Sequence, residues 1–179
     1  MDANELALVE MFRKDARSGF EKYLPNIIRC LQLLNEKEIW WRPNNASNAA
    51  GNIVLHLCGN VRQWIVSGLG GARDLRARDK EFSERGPIPR RILITQLKRT
   101  VGEACEIIDR LSAETLLQEY RIQGYRVAGL IALLHVYEHF AYHAGQISYL
   151  TKLKSGKNLG FTRLATEKSV RKRQKAVHP

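Results

Sequence analysis

An all-α four-helix bundle is the fold this sequence predicts, and three observations carry it. Four long segments repeat apolar residues at helical spacing, while strand-like alternation is confined to one short stretch. Polar, charged or Gly/Pro-bearing stretches separate the four amphipathic segments, which leaves them to pack as a helix bundle. No apolar run approaches the ~20 residues needed to cross a bilayer, so no membrane partner is expected.

The first helix runs from about Asn4 into the thirties, with Leu6, Val9, Phe12, Ala16, Phe20 and Tyr23 on one face. Pro25 should kink or interrupt it, because proline removes a donor and crowds the preceding turn. The pattern resumes through Ile27, Ile28, Leu31 and Leu34. Glu36 to Ala46 reads as a loop, and Ser47 or Asn48 can cap the next helix. That second helix covers roughly Ala49 to Ser67, turns Ile53, Leu57, Val61 and Trp64 inward, and ends at Gly68, Gly70 and Gly71. A mixed-charge loop, Arg73 to Arg85, leads through Pro87 and Pro89 into a third helix reaching about Leu111. Tyr120 to Val127 alternates around Gln123-Gly124, which predicts a small hairpin before the last helix, Ala128 to Lys152.

The domain expectation is a bundle over residues 1–161 followed by a basic, disordered tail over 162–179. The formal net charge is +11, but residues 152–179 hold nine Lys or Arg against the single acid Glu167. The charge is therefore concentrated in a segment without apolar periodicity, and no nucleic-acid reading motif accompanies it. A nucleic-acid partner is not expected. Cys30, Cys58 and Cys105 are odd in number and widely spaced, which fits reduced thiols in a cytoplasmic protein. The N-terminus lacks the basic flank and apolar block of a signal peptide.

Chemistry concentrates in the histidines. His135, His139 and His143 are spaced four residues apart and so project from one helix face, beside Val136, Phe140 and Ile147. His56 takes a similar place on the second helix, with Asn52 and Asn60 one turn either way. A single inward histidine is usually a core residue; several converging from two helices can satisfy their buried nitrogens through one metal ion. His135 and His143 lie about 12 Å apart along the axis, too far to share one ion at metal–nitrogen bonds of about 2.0–2.1 Å. One adjacent pair must serve. Spacing alone does not choose it, although Gln146 extends the polar stripe beyond the later pair. His135-Val136-Tyr137-Glu138-His139 also matches the inverted zinc-peptidase pattern, with Glu138 as its base. The chain shows no evident acidic ligand downstream, and Glu138 reads better as a surface residue.

Two blocks resemble a known family. One runs from Trp40-Trp41-Arg42-Pro43-Asn44 through Ser47-Asn48 to Gly51-Asn52 and on to Ile65, and contains His56-Leu57-Cys58-Gly59-Asn60. The other is His135 to Ile147. With Glu81-Phe82 and Arg85 to Pro89 between them, they resemble an uncharacterised bacterial branch of the DinB/YfiT-like superfamily of metalloenzyme bundles. The resemblance implies a metal site of His56, His139 and His143, with His135 left to packing or to support of the ligands. It also implies a homodimer, nickel or zinc as the metal, and relatives that are thiol-dependent transferases and isomerases.

Three histidines leave a coordination position open, as catalytic sites do. The expected function is a metal-dependent enzyme with one divalent transition metal and a small-molecule substrate, such as a thiol-dependent transferase acting with a low-molecular-weight thiol. The alternatives are a metal-dependent hydrolase and a non-catalytic metal- or small-molecule-binding bundle. His135, Asn60, Gln63, Tyr142 and Gln146 are the candidates to orient the histidines or a ligand. Arg42 and Arg62 could meet an anionic group, whereas Trp40, Trp41 and Trp64 read as packing.

Overall fold

The computed structural model describes residues 3–161, so the expectation for the basic tail falls outside the described residues. Four long helical runs form the bundle: α1 (Ala3–Leu33), α3 (Ala50–Val61) with its π-helical continuation Arg62–Leu69, α5 (Arg90–Ile108) and α7 (Gly129–Ser155). Around the ring, α1 packs on α7, α7 on α3, α3 on α5 and α5 on α1. Phe20 meets Phe140 edge to face at 4.9 Å in the centre. Ile27, Leu31, Leu57, Leu93, Leu97 and Ile147 are fully buried around that pair. Burying such side chains supplies the main driving force for the bundle.

Shorter elements fill the connections. They are α2 (Glu36–Ile39), α4 (Arg78–Ser83), α6 (Ala113–Leu117) and a hairpin of β1 (Glu119–Ile122) and β2 (Tyr125–Ala128). The hairpin turns at Gln123 (φ 54°) and Gly124 (φ 85°), the pair of positive values a tight two-residue turn requires. Its Ile122 packs so closely on Gly68 that a Cβ there would overlap the isoleucine side chain. The hairpin is thereby seated against the π-helical segment.

Several sequence expectations need correction. Pro25 does not break α1; it lies exposed, where the carbonyl it frees can be hydrated, while Phe20, Ile27 and Leu31 hold both halves in the core. Residues 36–46 are not wholly loop, because Asn35 caps α2 through a capping box with Glu38. Neither Ser47 nor Asn48 caps α3. The first helical turn is closed from inside by Asn52, whose Oδ1 accepts from the Ala49 N–H at 3.3 Å. Ser47 instead bonds Asn44 in the preceding turn. The mixed-charge loop contains α4 and folds back over α3, anchored where Asn52 Nδ2 donates to the Glu81 and Glu84 carbonyls at 2.9 Å each.

Candidate metal centre

α3 and α7 lie side by side, and their facing edges bring three imidazoles together. On α7 the buried stripe is Val136, Phe140, Ala144 and Ile147; His135, His139 and His143 each precede a stripe residue and border it half-buried. On α3, His56 is buried within an almost wholly buried helix. His139 Nε2 lies 2.8 Å from His56 Nε2. The His143 ring stands 4.9 Å from His56 and 4.4 Å from His139, nearly perpendicular to each. One ligating atom from each of His56, His139 and His143 falls within 4.8 Å of the others.

The outer nitrogens of two of these rings are engaged. His56 Nδ1 is 2.9 Å from Glu81 Oε2, and His143 Nδ1 is 2.7 Å from Gln146 Oε1. A carboxylate or amide oxygen there accepts the Nδ1–H, which leaves the Nε2 lone pair for the cluster. Glu81 is itself clamped by Arg76, whose Nε lies 2.7 Å from Oε1 and whose Nη2 lies 2.9 Å from Oε2. Arg76 Nη1 donates to Gln63 Oε1 at 2.8 Å, and Gln63 Nε2 donates to Asp74 Oδ2 at 2.8 Å. Gly59 makes space for this clamp, because a Cβ there would overlap Glu81 Oε1.

The electrostatics favour neutral rings. Burial, reinforced by the neighbouring histidines, lowers His139 from the ordinary 6.5 to about 3. Burial likewise lowers His143 and His135. Burial alone would raise Glu81, but the hydrogen bonds and charges of Arg76 and His56 outweigh it and hold the carboxyl below its usual range. Near neutral pH His139 and His143 therefore offer unprotonated nitrogens, and Glu81 stands behind His56 as an ionised carboxylate.

The remaining candidates distribute unevenly. His135 stays outside the triad: its ring packs on Trp64 at 4.1 Å, and its Nε2 lies 3.5 Å from Asn60 Nδ2. Gln63 reaches the site only through Arg76. Tyr142 is exposed, with its ring 5.2 Å from His143. Glu138 is exposed as well. Arg42 binds Asn52 Oδ1 and the Phe82 carbonyl, and Arg62 pairs with Glu103, so both arginines serve the scaffold. Glu81 and Arg76 were missed as site residues. The only signal for them was the Glu81-Phe82 match within the resemblance, since their segment has no periodicity to announce burial.

Comparison with known proteins agrees with this fold. A family model described as "Protein of unknown function (DUF1572)" matches residues 8–168. No curated protein matches the sequence. A conserved protein from Enterococcus faecalis superposes with a TM-score of 0.71 at 14% identity, over 80% of this chain and 97% of that one. A DinB-like protein from Bacillus cereus gives 0.64 at 14% identity, over 84% and 97%. Another from Bacillus subtilis gives 0.60 at 17% identity, over 80% and 93%. At such identities the likeness establishes the fold alone.

Proposed function

The chain belongs to the DUF1572 family, part of the DinB-like superfamily, and we propose that it is a metal-dependent enzyme holding one divalent transition ion on His56, His139 and His143. The observation that carries this reading is the convergence of three imidazoles within 4.8 Å. The donor set fits such an ion: burial lowers His139 and His143, which keeps those rings unprotonated, and Glu81 and Gln146 offer oxygens to the outer nitrogens of His56 and His143. Nickel or zinc suits imidazole donors.

When bound, such an ion supplies Lewis acidity, able to lower the pKa of a water or thiol or to polarise a carbonyl. Three protein donors leave room for an exogenous ligand. The chain itself orients and shields: Phe82 covers His56 at 4.7 Å. The reaction we favour is transfer of a small exogenous thiol to an electrophile. Among the described residues no cysteine belongs to the histidine cluster, and burial pushes the nearby Cys58 thiol up to about 12. Homodimerisation belongs to the same reading, with the exposed Leu6, Leu8 and Met11 on α1 as its contact.

Metal analysis of protein purified without a histidine tag tests the proposal. One equivalent per chain is expected, together with a change in the spectrum of the cobalt-substituted protein on adding small thiols. Failure to bind nickel, zinc or cobalt would refute it. Metal uptake without any thiol response would retain the site and remove the transferase reaction.

A further inference from the structure

Beside the triad lies a cleft of about 440 Å³, a size suited to a small organic ligand. One wall is aromatic and begins at the site. His139 stacks toward His135 at 5.4 Å and 28°, His135 against Trp64 at 4.1 Å and 37°, and Trp64 against Tyr125 at 6.4 Å and 30°. The four rings thus run in steps of modest tilt from the histidine cluster to the hairpin, where Tyr125 is 62% exposed at the mouth. Val127 and Ile131 add apolar lining.

The charges in this cleft have one sign. Its lining includes the guanidinium groups of Arg76 and Arg78 and no carboxylate. Arg76 is committed to Glu81 and Gln63. Arg78 makes no ion pair among the described residues; its guanidinium sits 4.9 Å over the Phe82 ring, and that ring in turn covers His56. The lining also includes Asn60, whose buried Oδ1 has no hydrogen-bond partner among the described residues.

We propose that this cleft binds a flat, unsaturated carboxylate, with its π-system along Trp64 and Tyr125 and its anionic end on Arg78. Flatness follows from the stepped rings, since offset stacking rewards a planar partner. Negative charge follows from an unpaired guanidinium whose planar fork matches a carboxylate. The orphaned Asn60 oxygen would accept from a hydroxyl or amide on the same molecule. The inference deepens the proposed function by naming the class of electrophilic substrate, and it rests on that reading only for the reaction, not for the binding.

The test is calorimetric titration of the metal-free, full-length chain with 1-naphthoate, alongside naphthalene-1-methanol as the neutral flat probe and cyclohexanecarboxylate as the saturated anion. Naphthoate should bind one to one and more tightly than either control. Arg78→Gln should weaken it about tenfold, as loss of a charge-assisted contact does. Tyr125→Ala should weaken it about fivefold through lost stacking. In NMR spectra the Trp64 indole N–H resonance, assigned with Trp64→Phe, should move on titration. Metal content of the same variants, measured separately, should remain that of the parent. Absence of naphthoate binding, equal binding of all three probes, or indifference to Arg78→Gln would each overturn the proposal. Because the titration uses no metal, such a failure leaves the triad reading standing, and a chain that binds naphthoate but no metal would fail only that earlier reading.

Discussion

His56 Nδ1 and Glu81 Oε2 stand 2.9 Å apart, one residue on α3 and the other on a short helix inside a charged connection. The contact gives His56 Nδ1 a carboxylate that can accept its proton, and the ring's Nε2 points at His139 Nε2, 2.8 Å away. Arg76 keeps the carboxylate ionised and immobile, and its Nη2 lies 3.1 Å from His56 Nδ1, so the orientation of a buried ring depends on the salt bridge directly against it. Removing such a partner from a ligand histidine typically lowers metal affinity by about 10–100-fold. Glu81→Gln should therefore weaken metal binding within that range in a competition titration, while the circular dichroism spectrum stays helical. Unchanged affinity would remove Glu81 from the site.

Gly59 offers a second route to the same contact. An added methyl group would occupy the space of Glu81 Oε1, and α3 is held too firmly by Leu57, Cys58 and Val61 to give way. Gly59→Ala should displace the carboxylate from His56 and weaken metal binding about tenfold. Because alanine favours helix over glycine, the intrinsic backbone effect is stabilising. A lower melting temperature together with lower affinity would mark the clash, whereas an unaltered affinity would show that Glu81 can move without consequence.

Much of the centre was legible in the sequence because helices have a fixed period. Four-residue spacing put His135, His139 and His143 on one edge, and the Gln123-Gly124 pair announced the hairpin turn. Glu81 was not legible, since its burial depends on Arg76 and Gly59, partners that no local pattern connects. The same holds for Asn52, which closes the start of α3 in place of the expected Ser47 or Asn48. α6 is too short, at 5 residues, to show a period of its own. Pro25 misled in the opposite sense: local chemistry argued for a break, and packing on both sides of it prevailed.

His135 lies against Trp64 and outside the cluster of three nitrogens. His139→Ala should remove most of the bound metal, while His135→Ala should leave metal content within error of the parent. Equal losses, read by elemental analysis of purified variants, would favour His135 with His139 and return Glu138 to consideration as a base.

Acid should destabilise the metal-free protein well before ordinary carboxylates titrate. His139 is lowered from 6.5 to about 3 by burial first and by its neighbours second, and burial also lowers His143 and His135. The unfolded chain would protonate these rings near 6.5, while the folded chain resists. Stability present in full above that pH is therefore lost as pH falls toward the folded values. Glu81 acts in the same direction at lower pH, since Arg76 and His56 hold its folded value below the ordinary 4.5. Melting curves between pH 7.5 and 5 should show a steady fall, and metal affinity should drop over the same range because protons compete for the same nitrogens. A melting temperature independent of pH across that window would show that the rings are not held neutral.

Cys58 follows His56 by two positions, which on a helix turns it about 200° away at ~100° per residue. It is 1% exposed, and burial pushes its thiol up to about 12, so almost none is thiolate near neutral pH. Cys30 and Cys105 are also raised by burial, and neither belongs to the residues around the triad. An enzyme of this architecture that uses sulfur must take it from solution. Cys58→Ala should thus leave thiol-dependent turnover within about twofold of the parent, the scale of a small packing loss that does not touch the transition state. His143→Ala should abolish turnover by removing a ring that Gln146 orients toward the cluster. The informative measurement is the rate of loss of an electrophilic substrate with and without added small thiols, for the parent and both variants. Turnover that needs no added thiol and survives Cys58→Ala would assign the reaction to hydrolysis, and turnover that vanishes with Cys58→Ala would place the nucleophile inside the chain after all.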